Sequence, residues 1–311
     1  MQRMKALLLS LSLVFLCLCL LSGCFGQTTT PSDEGSSGNP YANESYRKLD
    51  EDNEDDLAII VSAFYSDDSN KYYQSVQEKG SLRATLKTTS YLADEDDPDP
   101  YELTQESACE FAFSENGGFY FYSRYSGSSG DSSNSGRCLL YGENEDGAVH
   151  YRRYYHTVYD GEESYTGENK LTTTDPVRQS YDNTVGQYMK YSAYSCTNSS
   201  IYQYDYTESF YEGENTFKVE IKGTFPEDGN RDNSAKIDFV YICDKAGLTL
   251  YIKSSVEEYE KNEAGKTILT HKETVEMNVE YGVTVTKLDK ESFGFTGTEE
   301  TNISVAPSPS E

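Results

Sequence analysis

From about residue 46 the chain switches between two hydrophobic periods, 3.6 and 2, and the switches place its elements. Leu57, Ile60, Val61 and Phe64 recur at i, i+3, i+4 and i+7, so the spacing predicts a helix that buries those four on one face. Glu54, Asp55 and Asp56 fall in its first turn, where acids suit the positive end of the helix dipole. A second short helix is expected over Lys71–Lys79, ended by Gly80. Alternation then takes over. In Ser81–Leu92, Leu82, Ala84, Leu86 and Leu92 share one face, and Arg83, Lys87 and Tyr91 take the other. Ala108–Phe113 and Phe119–Tyr122 flank Glu115-Asn116-Gly117-Gly118, a hairpin signal because Asn-Gly accepts positive φ at both turn positions. Phe119-Tyr120-Phe121-Tyr122 is aromatic on both faces, which predicts cover on each side of that strand.

A Gly/Ser stretch, residues 126–136, reads as a loop leading to strands at Cys138–Tyr141 and Ala148–Tyr155. A third helix is expected near 175–192, with Pro176 in its first turn and Val177, Tyr181, Val185, Tyr188 and Met189 along one stripe. The second half is a meander: Ile201–Tyr211, Thr216–Phe225, Ala235–Cys243, Leu248–Tyr259, Lys266–Tyr281 and a short Val283–Thr286, divided by turns carrying Gly213, Gly229, Gly247 and Gly265. The fold class that follows is mainly β (α+β), a large curved antiparallel sheet or half-barrel packed on a few helices. The β domain spans 46–295, with helices near 54–79 and 175–192.

The ends read differently. Arg3 and Lys5 precede an apolar run from Ala6 to Leu20, too short for a stable span and closing in small residues, as a secretory signal does. It finishes Leu21-Ser22-Gly23-Cys24, which resembles the bacterial lipobox at every position. The resemblance implies a signal peptide over 1–23, cut before Cys24, with a diacylglycerol on the Cys24 sulfur. Two acyl chains meet the requirement for stable anchoring. Phe25 follows, not Asp, so the inner-membrane retention signal of Gram-negative lipoproteins is missing. Residues 24–45 are rich in Gly, Ser, Thr and Pro and read as a flexible tether, and 296–311 as a disordered tail.

Composition narrows the partners. Loss of Arg3 and Lys5 with the signal leaves 24 basic against 53 acidic residues, a net charge of −29. Such a surface repels nucleic acid and anionic headgroups, so the lipid anchor, not charge, holds the chain at the membrane. The expected location is extracytoplasmic, on the outer leaflet of the plasma membrane in a Gram-positive host. The 28 Tyr compensate for an apolar fraction of 36%.

The element order, behind a lipobox and a Ser/Thr-rich tether, resembles that of the LolA/LppX-like half-barrel lipoproteins over most of residues 50–295. The resemblance is architectural, and no binding residue carries over. It implies a curved sheet around helices with acyl chains on the concave face. The expected function is thus a lipid-anchored, non-enzymatic binding protein for an apolar or lipid ligand. The alternative is an envelope module that meets glycan or protein through exposed tyrosines, with Tyr202, Tyr204 and Tyr206 on one strand face.

Candidate chemistry is sparse. His150 and His156 share a strand face but sit six residues apart, roughly 20 Å, too far for one metal. His271 falls in register with Leu269 and Val275 and reads as packing. Cys109, Cys138, Cys196 and Cys243 form no C-x-x-C pair and leave both disulfides and buried thiols open. Asp228, Asn230 and Asp232 alternate around Gly229, but Arg231 intrudes and no distal Glu completes a calcium loop. Tyr151, Tyr154, Tyr155 and Tyr159 crowd one segment with Arg152 and Arg153, and for these as for Tyr202, Tyr204 and Tyr206 burial in a core short of Leu and Ile is the expectation. G-x-S-x-G, H-E-x-x-H, the P-loop and G-x-G-x-x-G are absent. No catalytic residue, metal site or cofactor is assigned.

Overall fold

The computed structural model describes residues 39–65, 69–94, 97–114, 117–129, 132–145, 148–172, 177–178, 181, 205–225, 233–262, 265–295 and 299–301. Among them are three helices, α1 (Glu54–Phe64), α2 (Ser69–Lys79) and α3 (Lys290–Phe293). Val177, Arg178 and Tyr181, in the expected third helix, are helical, and the remainder of that segment lies outside the described residues.

The first strands are β1 (Arg47–Lys48), β2 (Ser81–Asp94), β3 (Asp97–Phe113), β4 (Phe119–Ser129), β5 (Ser132–Glu145), β6 (Ala148–Tyr159) and β7 (Glu162–Thr172). The later ones are β8 (Asp205–Glu212), β9 (Thr216–Phe225), β10 (Asn233–Asp244), β11 (Thr249–Lys261), β12 (Thr267–Tyr281) and β13 (Glu299–Thr301). All form one sheet, ordered β1-β8-β9-β10-β11-β12-β2-β3-β4-β5-β6-β7-β13. It is antiparallel except where β13 runs parallel to β7, and it does not close into a barrel. Two meanders, β2–β7 and β8–β12, thus meet along one ladder in which His271 faces Leu92 and Tyr281 faces Leu82.

Register explains the core. Val219, Tyr241, Ile252, Met277 and Leu86 fall in one row across five strands, so their side chains share a face. Both long helices lie on that face. α1 inserts Ile60, Ala63 and Phe64 among Phe210, Phe217, Val219, Ile221 and Tyr241. α2 places Tyr72 and Val76 over Leu82, Phe111, Phe119, Phe121, Leu140 and Met277. The β10–β11 turn passes so close beneath that a side chain at Gly247 (φ +87°) would meet the Ala63 carbonyl at 3.3 Å.

The opposite face holds a second, smaller core. Ala112, Tyr120, Leu139 and Tyr154 pack against Phe293 and Phe295, carried by α3 and the segment around it. Phe119 and Phe121 therefore lie under α2 while Tyr120 lies under α3, and the two-sided cover expected for that strand is present. The segment expected as strand Val283–Thr286 instead crosses the sheet. The Ser81 hydroxyl donates to the Val283 carbonyl at 2.6 Å, and the Tyr120 hydroxyl accepts from the Leu288 amide at 3.2 Å.

Other expectations are corrected by pairing. The stretch 126–136 is not a loop: Ser126–Ser129 and Ser132–Gly136 continue β4 and β5 as a ladder. Neighbouring strands hold small residues in extended form, and Gly127 leaves room for Asn134, whose Oδ1 would lie 2.5 Å from any Cβ there. β7 went unpredicted, although Asp160-Gly161 between β6 and β7 has φ of 47° and 88°, the positive pair of a two-residue hairpin turn. Ordered structure starts before residue 46: the Glu44 carboxylate accepts from the Asn215 amide and the Thr216 hydroxyl, tying residues 39–44 to the sheet. In the tail expected to be disordered, Glu299–Thr301 lies along β7, whose free edge offers the backbone partners that its side chains could not supply.

Only part of the α1 stripe is buried. Ile60 and Phe64 are, with Ala63, but Leu57 and Val61 are 44% and 50% exposed. Asp56 sets this rotation. It is buried at the helix start, accepts from Arg47 at 2.8 Å and from the Asp50 amide at 2.9 Å, and turns its side of the first turn inward. Phe64→Ala is expected to cost about 3–5 kcal/mol in urea unfolding, whereas Val61→Ser should stay within about 0.5 kcal/mol.

Candidate functional site

An apolar ligand on the concave face would need space beneath the helices. Among the described residues, aromatic side chains pack closely beneath both long helices. Under α1, Phe64 lies 5.2 Å from the Phe210 ring and 6.3 Å from the Tyr241 ring. Under α2, Tyr73 meets Tyr181 at 5.1 Å and Phe113 at 5.7 Å, and Phe111 stacks on Phe119. One cleft opens at the rim, between α2 and the β3–β4 turn, lined by Tyr73, Gln77, Phe113, Gly117, Gly118 and Val177. Its volume, about 220 Å³, is below the usual range for small-molecule sites.

Farther along β12 the helix-facing row turns polar. His271 and Glu273 continue the line of Val275, Met277 and Val279, and both are buried. His271 Nδ1 lies 3.5 Å from Glu258 Oε2, outside good hydrogen-bond geometry. Burial raises the Glu273 carboxyl above its ordinary value, the His271 ring opposes that rise, and Glu258 adds to it. This end of the sheet is the place where His271 was expected to pack. It does pack there, beside a carboxylate held away from water.

On the opposite face, register sets Arg137, His156 and Tyr165 in one row across β5, β6 and β7, and Glu163 stands two residues from Tyr165 on β7. Arg137 Nη2 lies 3.0 Å from His156 Nδ1, and Glu163 Oε2 lies 3.3 Å from His156 Nε2. A guanidinium only donates, so Nδ1 is the acceptor, and the proton sits on Nε2 and points to Glu163. The ring stacks on Tyr165 at 3.8 Å, and Arg137 lies over the Phe293 ring at 4.9 Å. Both nitrogens of His156 are thereby engaged within the protein. Acting as a general base would require breaking one of those bonds. His150 stands on the same strand and is not brought to His156. Among the described residues, no group of three or more His, Cys, Asp or Glu gathers as a metal site.

The thiols are separated. Cys109, Cys138 and Cys243 are all free. Cys109 and Cys138 each face Ser123 from opposite sides of β4, two strand spacings apart, roughly 10 Å, beyond disulfide reach. Burial pushes the Cys109 thiol up to about 12, and burial with Asp244 nearby raises Cys243 as well. The crowded tyrosines divide by register. Tyr151 and Tyr155 join the helix-side core, Tyr154 the opposite core, and Tyr159 is exposed. Cys24, Cys196, Tyr202, Tyr204, Asp228, Asn230 and Asp232 lie outside the described residues.

The exposed aromatic surface is elsewhere. Tyr65, one turn past Val61 at the end of α1, and Tyr206, on β8 near the Tyr65 hydroxyl, are each 48% exposed. The Tyr65 hydroxyl donates to Glu208 at 3.1 Å. Amphipathic periodicity alone missed this patch because it assigned Leu57 and Val61 to the core.

Two measurements test the buried groups. Burial raises the folded Glu273 carboxyl above its ordinary value, so the folded state keeps a proton over a range where the unfolded state releases it. Stability is then complete below the unfolded value and falls as pH rises through the folded one. Glu273→Gln should raise the urea midpoint near pH ~7 and leave it unchanged near pH ~4. Separately, Cys109 and Cys243 should resist iodoacetamide at pH ~8 in the folded chain and react once it is unfolded, as read by peptide mass spectrometry.

No protein-family model matches the chain, and no curated protein matches it. Among solved structures, the translocator domain of the autotransporter NalP from Neisseria meningitidis is similar over 70% of this chain and 98% of its own, with 8% identity and a TM-score of 0.16. The ywiB protein from Bacillus subtilis is similar over 64% of this chain and 92% of its own, with 10% identity and a TM-score of 0.11. Likeness at these scores carries no argument about fold or function.

Proposed function

We propose that the chain is a lipid-anchored cell-envelope lipoprotein that works as a non-enzymatic interaction module, meeting glycan or protein through aromatic side chains on its outer surface. The anchor rests on the Leu21-Ser22-Gly23-Cys24 motif behind a short basic and apolar leader. Among the described residues, no helix is long and apolar enough to cross a membrane. The observation that carries the binding reading is a contrast: side chains pack the sheet face beneath α1 and α2, while Leu57, Val61 and Tyr65 stand exposed along one side of α1 and Tyr206 is exposed near Tyr65. Exposed apolar groups clustered in this way mark contact surfaces.

A second reading keeps the apolar or lipid ligand. It rests on the cleft at Tyr73, Phe113 and Val177, which is apolar along one wall and open to solvent.

Alkynyl-palmitate labelling in the native host tests the anchor: the wild type is expected to label and Cys24→Ala to lose the label, and equal labelling of both would refute it. Native mass spectrometry separates the two binding readings. The external-surface reading expects protein without co-purified lipid, and a stoichiometric bound lipid lost on Phe113→Ser would replace it with the second.

A further inference from the structure

α1 is apolar almost all round. Leu57, Ala58, Ile59, Ile60, Val61, Ala63 and Phe64 are interrupted, after the acidic first turn, by Ser62 alone. A helix of that composition is ordinarily enclosed. Here one side is enclosed and the other is not. Leu57, Val61 and Tyr65 follow at i, i+4 and i+8, a straight stripe along the outer side, 44%, 50% and 48% exposed. Tyr206 of β8, two residues from Glu208 and near enough to bear on the Tyr65 hydroxyl, is 48% exposed. The inner side is packed chiefly by Ile60, Ala63 and Phe64, with Ile59 beside them and the Tyr65 ring edge-on to Phe210 at 6.1 Å.

Among the described residues, the charged groups shown around the stripe are mainly acidic. Glu54 and Asp55 are exposed at its start. Glu51 and Glu208 lie near enough to bear on the Tyr65 hydroxyl, and Glu208 accepts its hydrogen bond. The nearest cation of the α1 start, Arg47, is committed to Asp56 and Glu212. A second copy of this surface would bring these acids against their own kind, and an anionic bilayer would be repelled in the same way. A polypeptide with apolar side chains for the stripe and Lys or Arg for the rim satisfies both features.

Building on the interaction-module reading above, we propose that the outer face of α1, with Tyr206, is a docking surface for a cationic, apolar segment of a partner protein. Leu57, Val61, Tyr65 and Tyr206 form the apolar floor, and Glu51, Glu54 and Glu208 form the rim. The centre supplies contact area, and the rim supplies orientation and speed of encounter.

The test uses the full chain in phosphocholine nanodiscs, with empty discs subtracted. The probes are three fluorescent 14-residue peptides, alternating Leu/Lys, Leu/Glu and Ser/Lys, read by anisotropy. The Leu/Lys peptide is expected to bind the wild type and to lose about tenfold in affinity with Leu57→Ser/Val61→Ser. The same peptide should keep its affinity for a control, Lys253→Ser/Asp238→Ser, on exposed positions of other strands. Leu/Glu is expected not to bind, and Ser/Lys to bind at least about tenfold more weakly than Leu/Lys. Circular dichroism and the urea midpoint confirm that the α1 variant stays folded.

Equal affinity of Leu/Lys for the wild type and the α1 variant overturns the proposal, because bulk acidity would then suffice. So does absence of binding by any peptide. Dimers in sedimentation that Leu57→Ser/Val61→Ser dissolves would assign the face to a second copy instead. Glycan binding lost on Tyr206→Ser, with no peptide binding, would leave the interaction-module reading standing and remove this one. Loss of palmitate labelling affects the anchor and leaves the peptide result intact.

Discussion

The ladder between β2 and β12 is the constraint on which the rest of the molecule depends. It joins residues 81–94 to residues 267–281 and turns two meanders into one continuous sheet. Leu82 and Ala84 contribute to the same core cluster as Met277 and Val279 only because this ladder sets them side by side. Without it, each meander would end in an unpaired strand whose apolar face met water on both sides of the break. Its price is kinetic, since a pairing so distant in sequence must close a long loop before its contacts form.

Tyrosines serve the cores on both faces of the sheet: Tyr72, Tyr181 and Tyr241 beneath α1 and α2, and Tyr120 and Tyr154 beneath α3. Tyrosine suits a shallow cover because its ring is buried and its hydroxyl reaches a polar partner. Tyr120 reaches the segment at Thr286–Leu288, Tyr251 donates to Glu276, and Tyr241 pairs with Thr249. A chain short of leucine and isoleucine can in this way still complete a two-sided core.

The titratable groups follow the same economy. His156 is held between Arg137 and Glu163 beneath α3, with its tautomer set by the guanidinium. His271 and Glu273 end the apolar row on β12. These are features of packing, with both ring nitrogens of His156 committed internally. On α1, Leu57 and Val61 are exposed apolar side chains close in sequence to the acidic Glu54 and Asp55.

Much of the architecture was legible in the sequence. Thr216–Phe225 has its expected limits, α2 ends at Gly80 as read, and the two-sided aromatic strand is covered on both sides. Period-2 alternation is a local property, so strands of Phe, Val and Ile announce themselves. The Ser-rich ends of β4 and β5 did not, because their extended form comes from neighbours and not from their own side chains. The candidate surface was half legible. Exposure of Tyr206 was only the alternative to burial, and Leu57 and Val61 were assigned to the core, because a helical wheel gives the apolar stripe but not how far round it the sheet reaches. By itself, then, the sequence determined the periods, the turns and the motif ending at Cys24. Tertiary structure alone decided which half of α1 faces the sheet, through the Asp56–Arg47 contact and the register of strands far away in the chain.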